Sequence, residues 1–437
     1  MRNRSIDPLS NGRKINSFMV LFFYKKQLIV CLSAICVHFI AAQSNLTSSQ
    51  VLASAKTQTL IALQDKKIDA LNATPYRLPF LEKVDLQTET DRFELQRQEY
   101  RVRASFNGWE EAKSLKQQKQ ANLTQQKAER NVVFKDVLYD RYALIVEYFF
   151  AQKAHDTYKK LQATFTDKRD VLQKMAKLST DFNIEDLIKA EDAAFDYEQK
   201  VVNTEGVIRN INHFISFSLN TTDSLQLDSV DWLPLSMLRR WVGELSNSTA
   251  QNPNLARQEA NIARVQAEYN LEKAQREKIV DYAQVRNSAR NRDAIIREWS
   301  VGVGITIPVL GSTKHKLNEI ALKRLDEENK LKSLQTSLDV QAFNIRQDLD
   351  LIFKEYDFIE KQVNESQTLY ALDHYAKIQG GSPIVLLRMQ ELVLKRQSQL
   401  IALEHAAFQK YIKLLDLTGK LTEMPLKNYL SKGLESF

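Results

Sequence analysis

The sequence predicts a mainly helical chain with a minor β component: long antiparallel helical hairpins of the coiled-coil kind, four strands inserted between helices, and an internal two-fold repeat. Three observations predict it. Only 11 glycines and 8 prolines interrupt 437 residues otherwise rich in Ala, Leu, Gln, Glu, Lys and Arg, the usage of long helices. Two stretches, Trp109 to Leu178 and Ser312 to Gln379, hold no proline and no glycine. Ahead of each, the apolar period changes from about 3.6 residues to 2, which marks strands entering a helical pattern.

The first 42 residues stand apart. Residues 27–42, QLIVCLSAICVHFIAA, form an apolar run after Lys25 and Lys26 and end in small residues, the layout of a secretory signal peptide cleaved near Ala42. The alternative, a membrane anchor, needs roughly 20 apolar residues, more than this run supplies. Met19 is a second candidate start. Of the formal charge of +7, Arg2, Arg4, Arg13, Lys14, Lys25 and Lys26 against Asp7 place +5 in this segment. Further on, bases alternate with acids (Lys323, Arg324, Asp326, Glu327, Glu328), a solvated helix face and not a nucleic-acid stripe. Both cysteines, Cys31 and Cys36, lie inside the signal, so the cleaved product carries no thiol for a disulfide, metal site or nucleophile.

The remainder divides into a first repeat (43–220), a linking segment (221–250), a second repeat (251–420) and a tail (421–437). At a shift of 200, Ile184 meets Ile384, Leu187 meets Leu387 and Glu191 meets Glu391. Each repeat is expected to run through a helix of about 27 residues, two strands, a very long helix, a polar tip and a helix of about 35. In the second repeat Asn252, Pro253 and Asn254 read as a cap with proline in the first turn. Ala256, Ala260, Ala263 and Ala267 follow at three- and four-residue steps.

At 1.5 Å per residue, each long helix would reach about 100 Å, which requires coiled-coil packing and not a compact core. Val133, Val137, Leu144 and Tyr148 supply one apolar seam. Val340, Phe343, Ile345, Leu349, Ile352, Phe353, Tyr356 and Ile359 supply another, wide enough for neighbours on two sides. The linking segment, with Trp232, Pro234 and Trp241, is expected to pack as irregular structure around the waist of the hairpins.

Among the strands, Trp299, Val301, Val303 and Ile305 alternate with Ser300, Gly302 and Gly304, and Tyr100, Val102, Ala104 and Phe106 alternate with Arg101, Arg103 and Ser105. Weaker signals lie at Val84 and Leu86 and from Ile279 to Arg286. Strands of about 9–11 residues suit a tilted transmembrane barrel, and four cannot close one; three chains would supply twelve strands. Soluble hairpins capping a helical stalk are the alternative. Charged Glu89, Asp91, Arg101 and Arg103 suit a lumen better than lipid. The hairpin tips fall at Ser179 to Asn183 and at Gln379 to Pro383, where Gly380, Gly381 and Pro383 allow a tight reversal.

In this order of parts the chain resembles the TolC family of outer-membrane efflux proteins over nearly all of its mature length. The stretch NPNLARQEANIARVQAEYNLEKAQREK, then strands, then SVGVGITIPVLG, then a long helix carries the resemblance. It implies a homotrimer with a twelve-stranded β-barrel in the outer membrane and a helical tunnel in the periplasm, the passive exit duct of a tripartite efflux or type I secretion system. The partners implied are a periplasmic adaptor, an inner-membrane transporter of RND or ABC type, and outer-membrane lipid. Docking and gating candidates are then Ser179, Asp181 and Asn183 on one tip and Gly380, Gly381 and Ser382 on the other; Tyr100, Val102, Phe106, Trp299, Val301, Val303 and Ile305 are the membrane-strand candidates. Asp181 and Asp186 are candidates for an acidic ring, with helix capping by Asp181 or Asn183 as the alternative. The first tip, KLSTDFNIED, lacks the glycine usual in the family.

No catalytic, cofactor or metal motif is present: His38, His155, His213, His315, His374 and His405 are scattered and read as surface residues. An exported enzyme would need a polar cluster on loops, and the loops here are few and small. A periplasmic adaptor would show a single hairpin and a lipoyl-like β domain, whereas this chain has two hairpins.

Overall fold

The computed structural model describes residues 46–73, 81–90, 98–178, 182–219, 231–246, 248–288, 299–305, 313–365, 371–372, 374–375 and 382–437. The first half runs α1 (Ser48–Ala53), a 3-10 turn (Ser54–Thr57), α2 (Thr59–Ala73), β1 (Leu81–Thr90), β2 (Gln98–Phe106), α3 (Trp109–Leu178) and α4 (Ile184–Leu219). After α5 (Leu235–Glu244) come α6 (Pro253–Arg276), β3 (Val280–Ser288), β4 (Trp299–Ile305), α7 (Thr313–Asn364), α8 (Pro383–Leu417) and a 3-10 turn at Lys420–Thr422. The signal run lies outside the described residues.

Helix α3 has the predicted bounds, 70 residues with Glu110 and Glu111 in the first turn and Lys177 in the last, each charge opposing its end of the helix dipole. It packs against α2 and α4 of its own half and against α6 and α8 of the other, while α7 packs on α6 and α8. The shorter helices therefore follow one another along the long ones. Their junctions fall at the waist. Where α4 ends and α2 begins, the buried Arg141 of α3 donates to Ser218 Oγ at 3.3 Å and to Gln58 Oε1 at 3.4 Å. Where α8 ends and α6 begins, Asn252 accepts from the Asn254 N–H at 2.9 Å and donates to the carbonyls of Asp416 (3.1 Å) and Leu417 (2.9 Å). One amide thus caps one helix and closes another. Gly419, at φ 73°, lies so close to the backbone of Gln251 that a Cβ would stand 2.6 Å from that carbonyl carbon.

The core is thickest at this waist, where Tyr142, Phe150, Phe408 and Tyr411 are fully buried, each contributing about 1.5–3 kcal/mol of apolar burial. Phe149 stacks on Trp232 with ring centres 3.7 Å apart, and Trp232 meets Phe408 at 5.2 Å. The chain after Gly419 enters the same core: Tyr142 donates to the Lys427 carbonyl at 2.6 Å, and Asn428 reaches Ser48 and Ser49 of α1. A buried ion cluster joins α3 to α8, with Asp416 3.2 Å from Lys135 and 2.8 Å from Lys413.

Three expectations need correction. The first helix of about 27 residues is interrupted: Thr47 caps a short α1, the turn Ser54–Thr57 follows, and α2 spans only 15 residues. The linking segment is not wholly irregular; α5 buries Leu238 and Val242 and is fixed by Arg346 of α7, which donates to the carbonyls of Val242, Leu245 and Ser246 at 2.9–3.0 Å. His155 and His405 are half-buried and not free on the surface: His155 is bonded to Thr204 at 3.1 Å, and His405 lies against the Phe150 ring and 3.0 Å from Glu147. Within the second seam, Ile345, Leu349 and Phe353 point inward while Val340 and Phe343 point out, so the seam divides between two sides of α7.

Candidate functional site

The four strands form one antiparallel sheet in the order β1-β2-β3-β4, so that β2 and β3 join the two halves of the chain. Register sorts the side chains. Leu86, Val102, Val285 and Val301 stand in one row, and Val84, Ala104, Ala283 and Val303 in the next. Alternation then puts Asp85, Arg103, Gln284 and Gly302, and Gln87, Arg101, Arg286 and Ser300, on the opposite face.

The apolar face is bare: Leu86 is 72%, Val301 78% and Trp299 61% exposed. A patch of this kind in water is a liability, and it marks a surface made for lipid or for another protein. Aromatic side chains bound it. Tyr100 and Trp299 lie at one end, with the Tyr100 hydroxyl donating to Gln98 at 3.0 Å, and Phe106 and the exposed Trp109 lie at the other. Tyr100 to Phe106 is six residues of strand, about 20 Å. Amphipathic rings at both margins of an apolar band are what a membrane interface selects.

On the polar face the charges are paired. Arg286 donates to Glu99 at 2.9 Å, Arg103 lies 3.7 Å from Asp281, Lys83 3.2 Å from Asp85, and Arg101 3.9 Å from Glu89, with a further bond from Arg101 to Gln87. Among the described residues neither outer strand, β1 or β4, has a partner on its free side.

The membrane-strand candidates Tyr100, Val102, Phe106, Trp299, Val301, Val303 and Ile305 therefore share one face of one sheet. The sequence singled out the central rows, but the pairing of β2 with β3 depends on contacts some 180 residues apart that no local pattern displays.

At the tips, Ser179, Asp181, Gly380 and Gly381 lie outside the described residues. Asn183 caps α4, accepting from the Glu185 N–H at 3.1 Å. Ser382 precedes α8, and its N–H donates to Tyr375 Oη at 2.9 Å. Asp186 does not stand free, since Arg388 of α8 lies 3.5 Å away and joins the two tip-side helices. Further along, Lys168 of α3 bonds Glu391 of α8 at 2.8 Å. Burial alone would raise the Glu391 carboxyl, but the bonds from Lys168 and Lys395 outweigh it and hold the pKa below its ordinary value. Glu185 is likewise lowered, by its bond from Lys189.

Apolar side chains also remain exposed along the helices: Ile188, Phe195 and Val202 at seven-residue steps on α4, and Val340, Phe343, Leu351 and Phe358 on one side of α7. Seven-residue spacing is the pattern of a helix with an absent helical neighbour. No helix among the described residues is long and apolar enough to cross a membrane. Among the same residues, no group of three or more His, Cys, Asp or Glu side chains is placed to hold a metal ion.

Neither protein-family models nor curated protein sequences give a match to this chain. Solved structures do. The open-state MtrE outer membrane channel of Neisseria gonorrhoeae superposes with a TM-score of 0.63 at 12% identity, over 85% of this chain and 88% of that one. The outer membrane protein VceC of Vibrio cholerae gives 0.61 at 12% identity, over 85% and 96%. The Campylobacter jejuni CmeC outer membrane channel gives 0.57 at 9% identity, over 85% and 83%. Long helical hairpins carrying a four-stranded sheet with one bare apolar face, in a chain that follows these channels over most of their length, give this protein the outer-membrane-factor fold, the fold of the TolC family.

Proposed function

We propose that the protein is a channel subunit of the outer membrane, exported by its N-terminal signal, and that three copies join their sheets into a twelve-stranded barrel. The apolar face meets lipid and the polar face lines a water-filled lumen. Four strands cannot close on themselves, and β4 of one copy beside β1 of the next removes both free edges. The stripes on α4 and α7 find cover in the same assembly, where the helices form a tunnel reaching into the periplasm. The channel is a passive conduit and not an enzyme. Substrate reaches it from an inner-membrane transporter of RND or ABC type through a periplasmic adaptor that docks on the tips bearing Ser179, Asp181, Asn183, Gly380, Gly381 and Ser382.

A single observation carries this reading: one sheet with an exposed apolar face, a charge-paired opposite face and, among the described residues, two unpaired edges. The test is extraction of the protein from outer membranes in detergent, determination of its oligomeric state, and reconstitution into planar bilayers. A trimer giving discrete conductance steps is the expected result. A soluble product giving no steps removes the barrel and brings forward the reading of the strands as soluble hairpins.

A further inference from the structure

Taking the polar face of the sheet as lumen lining, a reading that rests on the proposed function, we propose that Tyr282 is laid flat on the barrel wall by Gly304 and Arg103, and that this keeps the bore open at its level. Tyr282 pairs with Gly304 on one side and Ser105 on the other, all on the polar face. A tyrosine standing upright there would project its full length into the lumen. Instead the ring leans over β4: a Cβ added to Gly304 would overlap the ring, standing 2.6 Å from its Cζ. No residue but glycine leaves room for that ring, which is the close approach that glycine inside a strand permits.

The lean is held as well as allowed. The Arg103 guanidinium carbon lies 3.5 Å from the centre of the Tyr282 ring, a stacked cation–π contact. Arg103 is held in turn by Asp281 at 3.7 Å, and Asp281 is 3.3 Å from Lys278. One row along, Gln284 repeats the arrangement. Its side chain folds over Gly302, where a Cβ would stand 3.0 Å from Nε2 and 3.2 Å from Cγ. With Ser300 next in line, β4 offers a surface nearly without side chains, and β3 lays Tyr282 and Gln284 across it, while Arg286 turns the other way to Glu99 of β2. The bore at this level is thus set by what β4 lacks as much as by what β3 carries.

The experiment uses the full chain reconstituted in planar bilayers, with trimer formation checked for every variant. Tyr282→Ala is expected to leave unitary conductance unchanged, because the ring lies along the wall. Gly304→Val displaces the ring and lowers unitary conductance, and the double variant Y282A/G304V restores most of the loss. A clear rise in conductance for Y282A overturns the proposal, since it places the ring in the lumen. So does a G304V trimer with wild-type conductance, or a loss in G304V that Y282A does not relieve. If G304V fails to assemble, the Y282A result decides alone. Wild-type trimers that carry no current remove the channel reading itself, and the proposal with it; conducting wild-type trimers with the wrong variant pattern remove only the clamp.

Discussion

Replacing Asn252 by alanine tests how the second half of the chain is closed. Asn252 is 1% exposed, and its side chain serves three backbone groups: the Asn254 N–H and the carbonyls of Asp416 and Leu417. The Asp416 carbonyl keeps a second donor, the Gly419 N–H at 3.2 Å, so truncation strands two groups and not three. Loss of the cap costs about 1 kcal/mol, and a buried carbonyl left unpaired about 1–3, which together give about 2–4 kcal/mol. Denaturant unfolding of detergent-solubilised protein, followed by far-ultraviolet circular dichroism at fixed protein concentration, measures the difference. Asn252→Asp divides the effect. It keeps the acceptor that caps α6 but sets a carboxylate against the carbonyl end of α8, where the helix dipole is negative. N252D is therefore expected to be no more stable than N252A. An N252D protein as stable as wild type would refute the reasoning, because the donor side of the amide would then contribute nothing.

Three further outcomes follow from the same geometry. Val301→Arg on the apolar face is expected to cost about 2–4 kcal/mol of membrane stability, while Ser300→Arg, one residue away on the polar face, changes little; equal yields of folded, membrane-inserted protein for the two would sink the assignment of faces. Asp416→Leu leaves the buried Lys135 without its inward partner and is expected to cost about 3–5 kcal/mol in the same unfolding assay, more than Lys413→Ala, which leaves Asp416 paired with Lys135. The Glu147 carboxyl is held below its ordinary value chiefly by its bond from His405. A lowered carboxylate pKa stabilises above the unfolded value and stops doing so as pH falls through the folded one, so wild type exceeds Glu147→Gln near neutrality and the gap closes below about pH 4. A gap that persisted undiminished below about pH 4 would contradict the pairing.

Much of this architecture is legible from sequence because its elements are long. Seventy residues from Trp109 without proline or glycine leave α3 little alternative, and the alternation Trp299-Val301-Val303-Ile305 fixes the face of β4 before its partner is known. What the sequence hides depends on distance or on context. The break at Ser54–Thr57 carries no proline or glycine; there the Ser54 and Thr57 hydroxyls donate back to the carbonyls of Val51 and Ser54, competition that local propensity does not announce. Helix α5 is ten residues long and is placed by Arg346 and by Arg239, which donates to Asp357 at 2.7 Å, so its position is set by α7 and not by its own composition. His405 reads as a surface histidine until α8 is laid against α3, which brings Phe150 and Glu147 to it. At the tips, the sequence leaves the cap open between Asp181 and Asn183, and the Asp186–Arg388 contact joins positions some 200 residues apart.

The two junctions at the waist account for how a repeated order of elements leaves so faint a trace in the residues. In the first half, a buried arginine on the long helix bonds the end of α4 and the residue before α2; in the second, an asparagine at the start of α6 bonds the end of α8. Both solve one problem: a helix that stops inside a packed bundle leaves backbone groups that water cannot reach. The chemistry is interchangeable, a guanidinium here and an amide there, so the position of the junction is kept while the residues that secure it are free to differ. The sheet obeys a stricter condition. In the proposed assembly every strand must present one face to lipid and the other to water, and that alternation admits few substitutes. Strand patterning and helix length therefore remain readable in this chain when identity with known channels has fallen to 12%.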